Sequence, residues 1–214
     1  MVRDGAGWWT ERVVPRLVDA SLSAAPVDRL RARACAGLHG RVLEIGFGSG
    51  LNLPQLPAGV TALDAVEPAD LAWERSAARR EASPVAVRRT GLDGERLAAP
   101  DGSYDAVLCT FTLCTVPDPA RVLAEVRRVL RPGGSLHLLE HGAAPGPRVR
   151  AWQRRLEPLQ RRACGGCHLT RDVPGLLADA GFEVAVVHVG YVAEGPARPW
   201  SWVTGARATP LVRP

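Results

Sequence analysis

The chain reads as an α/β fold: a seven-stranded, mostly parallel sheet with helices on both faces and an antiparallel last strand. Three observations predict it. From residue 41 onward, short apolar runs alternate with stretches of helical periodicity. The first run, carrying Val42, Leu43 and Ile45, stops abruptly at Gly46, Gly48 and Gly50. The last two runs follow one another across Gly190 to Pro199 with no helix between them, so they pair antiparallel at one edge.

The first 40 residues read as helices. Trp8, Trp9, Val13, Leu17 and Val18 recur at helical spacing, interrupted by Pro15. A second helix is expected over about 27–38, with Asp28 and several arginines facing outward. Residues 1–40 are expected to form a helical lid segment and 41–214 the ligand-binding domain, within a single domain overall. Lying on a membrane surface is open to the N-terminal segment too, but ordinary packing on the domain is favoured. Strands are expected near 41–46, 60–66, 84–89, 105–110, 134–140, 183–189 and 199–206. The helix before the fifth strand is the clearest. Asp118 caps it, Pro119 fits its first turn, and Val122, Leu123, Val126, Val129 and Leu130 make one apolar face. Arg131-Pro132-Gly133 stops it.

At 214 residues the chain is long enough to bury a real core. The formal charge is +5, and all 27 basic residues are arginine. Arginine used throughout, beside abundant Ala, Gly and Pro, reads as a coding bias, so the charge does not argue for nucleic acid. The odd set of five cysteines, Cys35, Cys109, Cys114, Cys164 and Cys167, argues against a disulfide framework. No run long enough to span a bilayer and no apolar leader is seen, so a cytoplasmic location is expected.

The glycines carry the chemistry. Their spacing is G-x-G-x-G, which differs from the G-x-G-x-x-G of dinucleotide folds. Glu44 sits in the strand two residues ahead. A buried strand ending in such a turn brings bare backbone against a ligand. The second strand ends in Glu67-Pro68, where a carboxylate accepts from both hydroxyls of a ribose. Asp93-Gly94-Glu95 follows the third strand. This order of elements suggests a site for S-adenosylmethionine.

Val42-Leu43-Glu44-Ile45-Gly46-Phe47-Gly48-Ser49-Gly50, Glu67-Pro68, Asp93-x-Glu95 and Arg131-Pro132-Gly133-Gly134 together resemble the class I S-adenosylmethionine-dependent methyltransferases, with a Rossmann-like sheet. Leu113-Cys114-Thr115-Val116, Leu139-Glu140-His141 and Gly166-Cys167-His168-Leu169-Thr170-Arg171-Asp172 look like the methyltransferase-like seven subgroup, which includes thiol S-methyltransferases. The resemblance covers roughly residues 38–190. It implies that Gly46, Gly48 and Gly50 approach the methionyl and ribosyl portions and that Glu67 holds the ribose. It further implies Asp93 on the adenine amino group, Gly94 against the ring, and Cys109 and Thr110 beside the methionine. Phe47 departs from the small residue usual there. The animal members carry an N-terminal membrane anchor that nothing here matches, so a fixed membrane location is not expected.

Methyl transfer needs a base only if the acceptor must first lose a proton. His141, after the fifth strand, is the candidate base, with an ordering role in the next loop as the plainer alternative. Glu140 is placed to orient His141 or the acceptor, and His168 is a weaker candidate. Cys164-Gly165-Gly166-Cys167-His168 matches a haem-attachment string, but a packed turn is expected there, with a redox pair less favoured and no metal site. The segment 148–162 has an apolar stripe, Val149, Trp152, Leu156 and Leu159, among arginines. It docks on the sheet in the favoured reading, or meets anionic lipid or the acceptor. The function expected is methylation of a small, fairly apolar thiol, phenol, quinone or lipid amine, with no nucleic-acid partner. RNA or protein methylation and a non-catalytic regulatory role stay as alternatives.

Overall fold

The computed structural model describes residues 22–211. The helix expected around Trp8 to Val18 lies outside them. The strands are β1 (Gly40–Ile45), β2 (Val60–Val66), β3 (Val87–Gly91), β4 (Tyr104–Thr110), β5 (Leu130–His141), β6 (Phe182–Tyr191) and β7 (Trp202–Pro210). The helices are α1 (Ala25–Cys35), α2 (Asp70–Arg75), α3 (Ala77–Glu81), α4 (Pro119–Val129), α5 (Pro147–Ala163), α6 (Val173–Asp179) and α7 (Arg198–Ser201).

One seven-stranded sheet runs in the order β3-β2-β1-β4-β5-β7-β6. β1 through β5 pair in parallel, and β7 is antiparallel to both β5 and β6. The strand later in sequence lies inside and β6 takes the edge. Composition explains this. β7 buries Val203, Thr204, Gly205, Ala206 and Ala208, whereas β6 exposes Val186, Val187 and Val189. The order reverses between β1 and β4, so a crevice opens there at the strands' carboxyl ends.

Period-two alternation builds a core on each face. Leu43 and Ile45 of β1 and Val107 and Cys109 of β4 pack with Val122, Leu123, Val126 and Val129 of α4. Their neighbours Val42, Ala106 and Leu108 pack on the other face with Cys35, Leu38 and Leu53. Asp118 caps α4, accepting from the amides of Ala120 and Arg121 at 3.1 Å each. β3 starts at Val87, later than expected. Pro84 lacks an amide proton, and Ser83 Oγ accepts from Val85 N at 3.2 Å, holding a turn instead.

α5 docks through only part of its apolar stripe: Leu156 packs on Cys114, Cys167 and Leu169. Trp152 and Leu159 are 54% and 66% exposed. The buried residue is Gln153, which donates to the carbonyls of Gly142 and Pro199 at 3.1 Å and accepts from Ala144 N at 2.9 Å. An amide that satisfies three backbone groups anchors this helix where hydrophobic burial was expected.

Candidate active site

A cavity of about 430 Å³ opens at the carboxyl ends of β1, β2 and β4. The glycine turn forms its floor. Gly46 has φ +75°, and a Cβ there would lie 2.7 Å from Thr112 Cγ2, so both conformation and space exclude a side chain. Gly48 also has positive φ, +58°, but open space around its Cα. Its amide donates 2.7 Å to Glu67 Oε2, while Ala69 N donates 2.8 Å to Oε1. Two main-chain donors thus fix the Glu67 carboxylate at the cavity wall, each oxygen keeping a lone-pair direction for a ligand. Asp93 Oδ1 accepts from Glu95 N at 2.8 Å, closing the turn that brings Asp93 and Gly94 to the rim.

Behind the turn lies a buried polar node. Arg31 Nη1 donates to Asn52 Oδ1 at 2.9 Å and to Thr110 Oγ1 at 3.0 Å. Asn52 Nδ2 donates to Thr110 Oγ1 at 2.9 Å and to Glu44 Oε1 at 2.7 Å. Glu44 Oε2 is buried without a hydrogen-bond partner. Burial raises the Glu44 carboxyl to about 8, against the lowering pull of Asn52 and Arg31. Arg31 and Thr110 reach the cavity; Glu44 and Asn52 stand behind them.

Several arginines of α1 are expected outward; Arg29 and Arg33 are exposed, but Arg31 turns inward and is 3% exposed. A signal was present. Val27, Leu30, Arg31, Ala34 and Cys35 form the buried stripe, so position 31 falls on the inner face by helical spacing alone.

Phe111, which also lines the cavity, has φ 55°. No other non-glycine among the described residues has positive φ. Such a conformation costs on the order of 1–3 kcal/mol and collects at functional sites. The ring lies between two partners: the Arg31 guanidinium carbon is 5.4 Å and the His141 ring 4.8 Å from its centroid.

Comparison with known proteins bears directly on this crevice. A family described as a methyltransferase domain matches residues 43–138, from β1 into β5. A thiol S-methyltransferase of Homo sapiens, TMT1B, is 40% identical over 158 residues, 71% of this chain and 64% of that protein. The phosphatidylethanolamine N-methyltransferase of Cereibacter sphaeroides is 33% identical over 169 residues, 76% of this chain and 79% of that protein. The chain belongs to the class I S-adenosylmethionine-dependent methyltransferases.

A solved methyltransferase of Thermotoga maritima, described as a possible histamine N-methyltransferase, shares the fold at a TM-score of 0.64 and 24% identity, covering 94% of this chain and 99% of that one. This methyltransferase spans 55% to 64% of the length of the mammalian thiol methyltransferases it matches.

The crevice fits the family's methyl donor. An amino-acid tail carries both charges, and the node offers the Arg31 side chain and the Thr110 hydroxyl at the cavity, with the Glu44 carboxyl buried behind them. Gly46, Phe47, Gly48, Glu67, Pro68, Asp93, Gly94 and Thr110 line the cavity together. Glu44, Gly50 and Cys109 do not. Cys109 is fully buried against the α4 face, and Gly50 closes the turn from behind, its amide donating to Phe47 O at 3.1 Å. Phe47 turns its bulk into the core, packing on Trp73 at 5.4 Å between centroids.

Glu140 sits differently from its expected place beside His141 or the acceptor. Fully buried, it accepts from the amides of Thr112, Leu113 and Cys114 at 2.8, 2.9 and 3.1 Å. It orders the loop after β4. Burial raises its pKa, and those three amides lower it.

His141 is half-buried, with Nδ1 3.7 Å from Cys167 Sγ. Cys167 Sγ in turn lies 3.7 Å from Cys114 Sγ. The Cys114 hydrogen bond, then His141, hold the Cys167 thiol below its ordinary range, whereas Cys114 is pushed up. Spacing sets Cys164 beside Cys167 in a turn; tertiary folding brings Cys114 to Cys167 from 53 residues away. His168 is turned from the cavity to Glu157, 3.2 Å from Nδ1 to Oε1.

Proposed function

We infer that this methyltransferase methylates a small, fairly apolar acceptor with S-adenosylmethionine, and that the acceptor is a thiol. The donor would supply an electrophilic methyl group on a sulfonium. The chain's residues would bind, align and exclude water. Glu67 would hold the ribose hydroxyls and Asp93 the adenine amino group. Arg31 and Thr110 would receive the amino-acid tail, with Glu44 holding Asn52 behind them. His141 would accept the acceptor's proton.

The observation that carries this reading is the division of the cavity. Its β1–β2 side is polar, through Glu67 and Asp93, and its far wall is Phe111, Val116, Pro117 and Cys164. An apolar wall with few charges suits a small neutral acceptor better than a polynucleotide. The thiol choice draws support from the mammalian thiol methyltransferases among its relatives.

The test is a labelled-methyl screen across small thiols, phenols, quinones, ethanolamine lipids and RNA. Transfer to thiols is the expected result. Transfer confined to lipid amine would shift the acceptor towards the chemistry named for the Cereibacter relative. Transfer to RNA alone would reject the small-molecule reading. Among the described residues, no helix is long and apolar enough to cross a membrane.

A further inference from the structure

Cys114, His141 and Cys167 come from three separate parts of the chain: the loop after β4, the end of β5, and the loop after α5. Their ligand atoms lie within 4.8 Å of one another. The two sulfurs are 3.7 Å apart, and Cys167 Sγ is 3.7 Å from His141 Nδ1. These spacings have a physical meaning. A tetrahedral zinc ion with metal–sulfur bonds near 2.3 Å separates two ligand sulfurs by about 3.7–3.8 Å, and a sulfur from a nitrogen by about 3.5–3.6 Å. Two edges of the cluster therefore match a zinc tetrahedron. A disulfide would bring the sulfurs to about 2.05 Å.

We propose that these three side chains bind a zinc ion whose fourth position is left to the thiol acceptor. Two sulfurs and an imidazole form a soft ligand set, suited to zinc and poorly suited to magnesium or calcium. The scaffold holds the set in place without relying on the ion. Glu140 fixes the Cys114 amide, His168 N donates to Cys114 O at 2.7 Å, and Arg171 donates to the carbonyls of Leu113 and Val116. Cys114 and Cys167 are buried, and His141 stacks on Phe111, a wall of the donor cavity. Cys164 and Gly165, just ahead of Cys167, line the same cavity. Three protein ligands leave an exchangeable position, as in catalytic zinc sites.

The thiol clause rests on the function proposed above. A thiol entering the fourth position displaces water, and its proton passes to solvent. Its sulfur keeps a lone pair that forms the new bond to the methyl carbon as that carbon's bond to the donor sulfur breaks. A neutral thioether and a neutral donor sulfide result, with no change of oxidation state. The metal would then do what His141 does in the simpler scheme: keep the acceptor deprotonated at neutral pH.

Cobalt(II) titration of metal-free protein tests this, with ethanethiol as the probe for the fourth position. One equivalent should bind with the visible bands of a tetrahedral site and a sulfur-to-cobalt charge-transfer band. Ethanethiol should intensify that band. Cys114→Ser, Cys167→Ser and His141→Ala should each weaken cobalt binding about a hundredfold, the upper end of what loss of even an outer-shell partner costs. Cys35→Ala, remote from the cluster, and Cys164→Ser should leave it intact. Each variant's fold is checked by calorimetry with S-adenosylhomocysteine. An octahedral spectrum, or full binding by folded Cys114→Ser and Cys167→Ser, would overturn the site. Loss of binding in folded Cys164→Ser, or a spectrum indifferent to ethanethiol, would overturn the open position. Wild-type protein that takes cobalt but not S-adenosylhomocysteine would instead sink the methyltransferase reading, so the two failures are distinguishable.

Discussion

Glu67→Gln isolates one charge at the donor site. The glutamate accepts two main-chain hydrogen bonds, from Gly48 N at 2.7 Å and Ala69 N at 2.8 Å, and is only 6% exposed. Glutamine has the same shape but only one acceptor oxygen. Its NH₂ must therefore face one of the two backbone donors, leaving that N–H unsatisfied. A buried donor without a partner costs about 1–3 kcal/mol, so the free protein should lose stability in that range. A hydrogen bond to a charged group contributes about 1.5–3 kcal/mol, so losing one at the ribose should weaken donor binding roughly 10- to 140-fold. Glu67→Ala should fall at the upper end. Titration calorimetry with S-adenosylhomocysteine measures the affinity, and urea unfolding the stability. An affinity within twofold of wild type in both variants would refute the ribose role. Lost affinity with unchanged stability would refute the claim that the two amides depend on this carboxylate.

The pH dependence of stability should report Glu44. Its carboxyl titrates at 4.5 when unfolded and at about 8 in the fold, so the unfolded state binds fewer protons between those values. Stability from this group is complete below pH 4.5 and is lost as pH rises towards about 8. The total is on the order of several kcal/mol, and Glu44→Gln should flatten the slope in denaturation curves measured across that window. Equal slopes would mean Glu44 stays charged. Gly46→Ala should cost clearly more stability than Gly48→Ala. The latter meets only the left-handed backbone term of roughly 1–2 kcal/mol, while the former also drives a methyl into Thr112. Comparable losses in urea unfolding would place the constraint elsewhere. Glu140→Ala leaves three buried amides without their acceptor and should destabilise by at least about 3 kcal/mol. A loss under about 1 kcal/mol by the same method would show that water replaces the carboxylate.

The sheet and the crevice at the ends of β1, β2 and β4 were legible in the sequence because local rules specify them. Strand alternation decides which face Leu43 and Ile45 bury, and a turn of positive-φ glycines must follow β1. Glu67 and Asp93 stand at fixed distances along the chain from that turn. The same rules mark position 31 as an inner position of α1, though an arginine there is easily read as one more exposed charge. Other features depend on contacts between distant segments, and spacing is silent about those. Nothing local distinguishes a carboxylate that orients a base from one that caps a loop, so the role of Glu140 follows only from the three amides that converge on it. Likewise the stripe on α5 has helical period, but period cannot say that only Leu156 of it packs inward while Gln153 finds three backbone partners.

By itself, then, the sequence determined the seven-stranded sheet, the glycine turn and the acidic residues at the ends of the second and third strands, because each follows from periodicity, from conformations only glycine adopts readily, or from position along the chain. Tertiary structure alone decided that Arg31 joins Asn52, Thr110 and Glu44 in a buried node, and that Cys114 meets Cys167 and His141. Most of those groups lie 20 or more residues apart in the chain, and only the packing of whole helices and loops onto the sheet brings their side chains into contact.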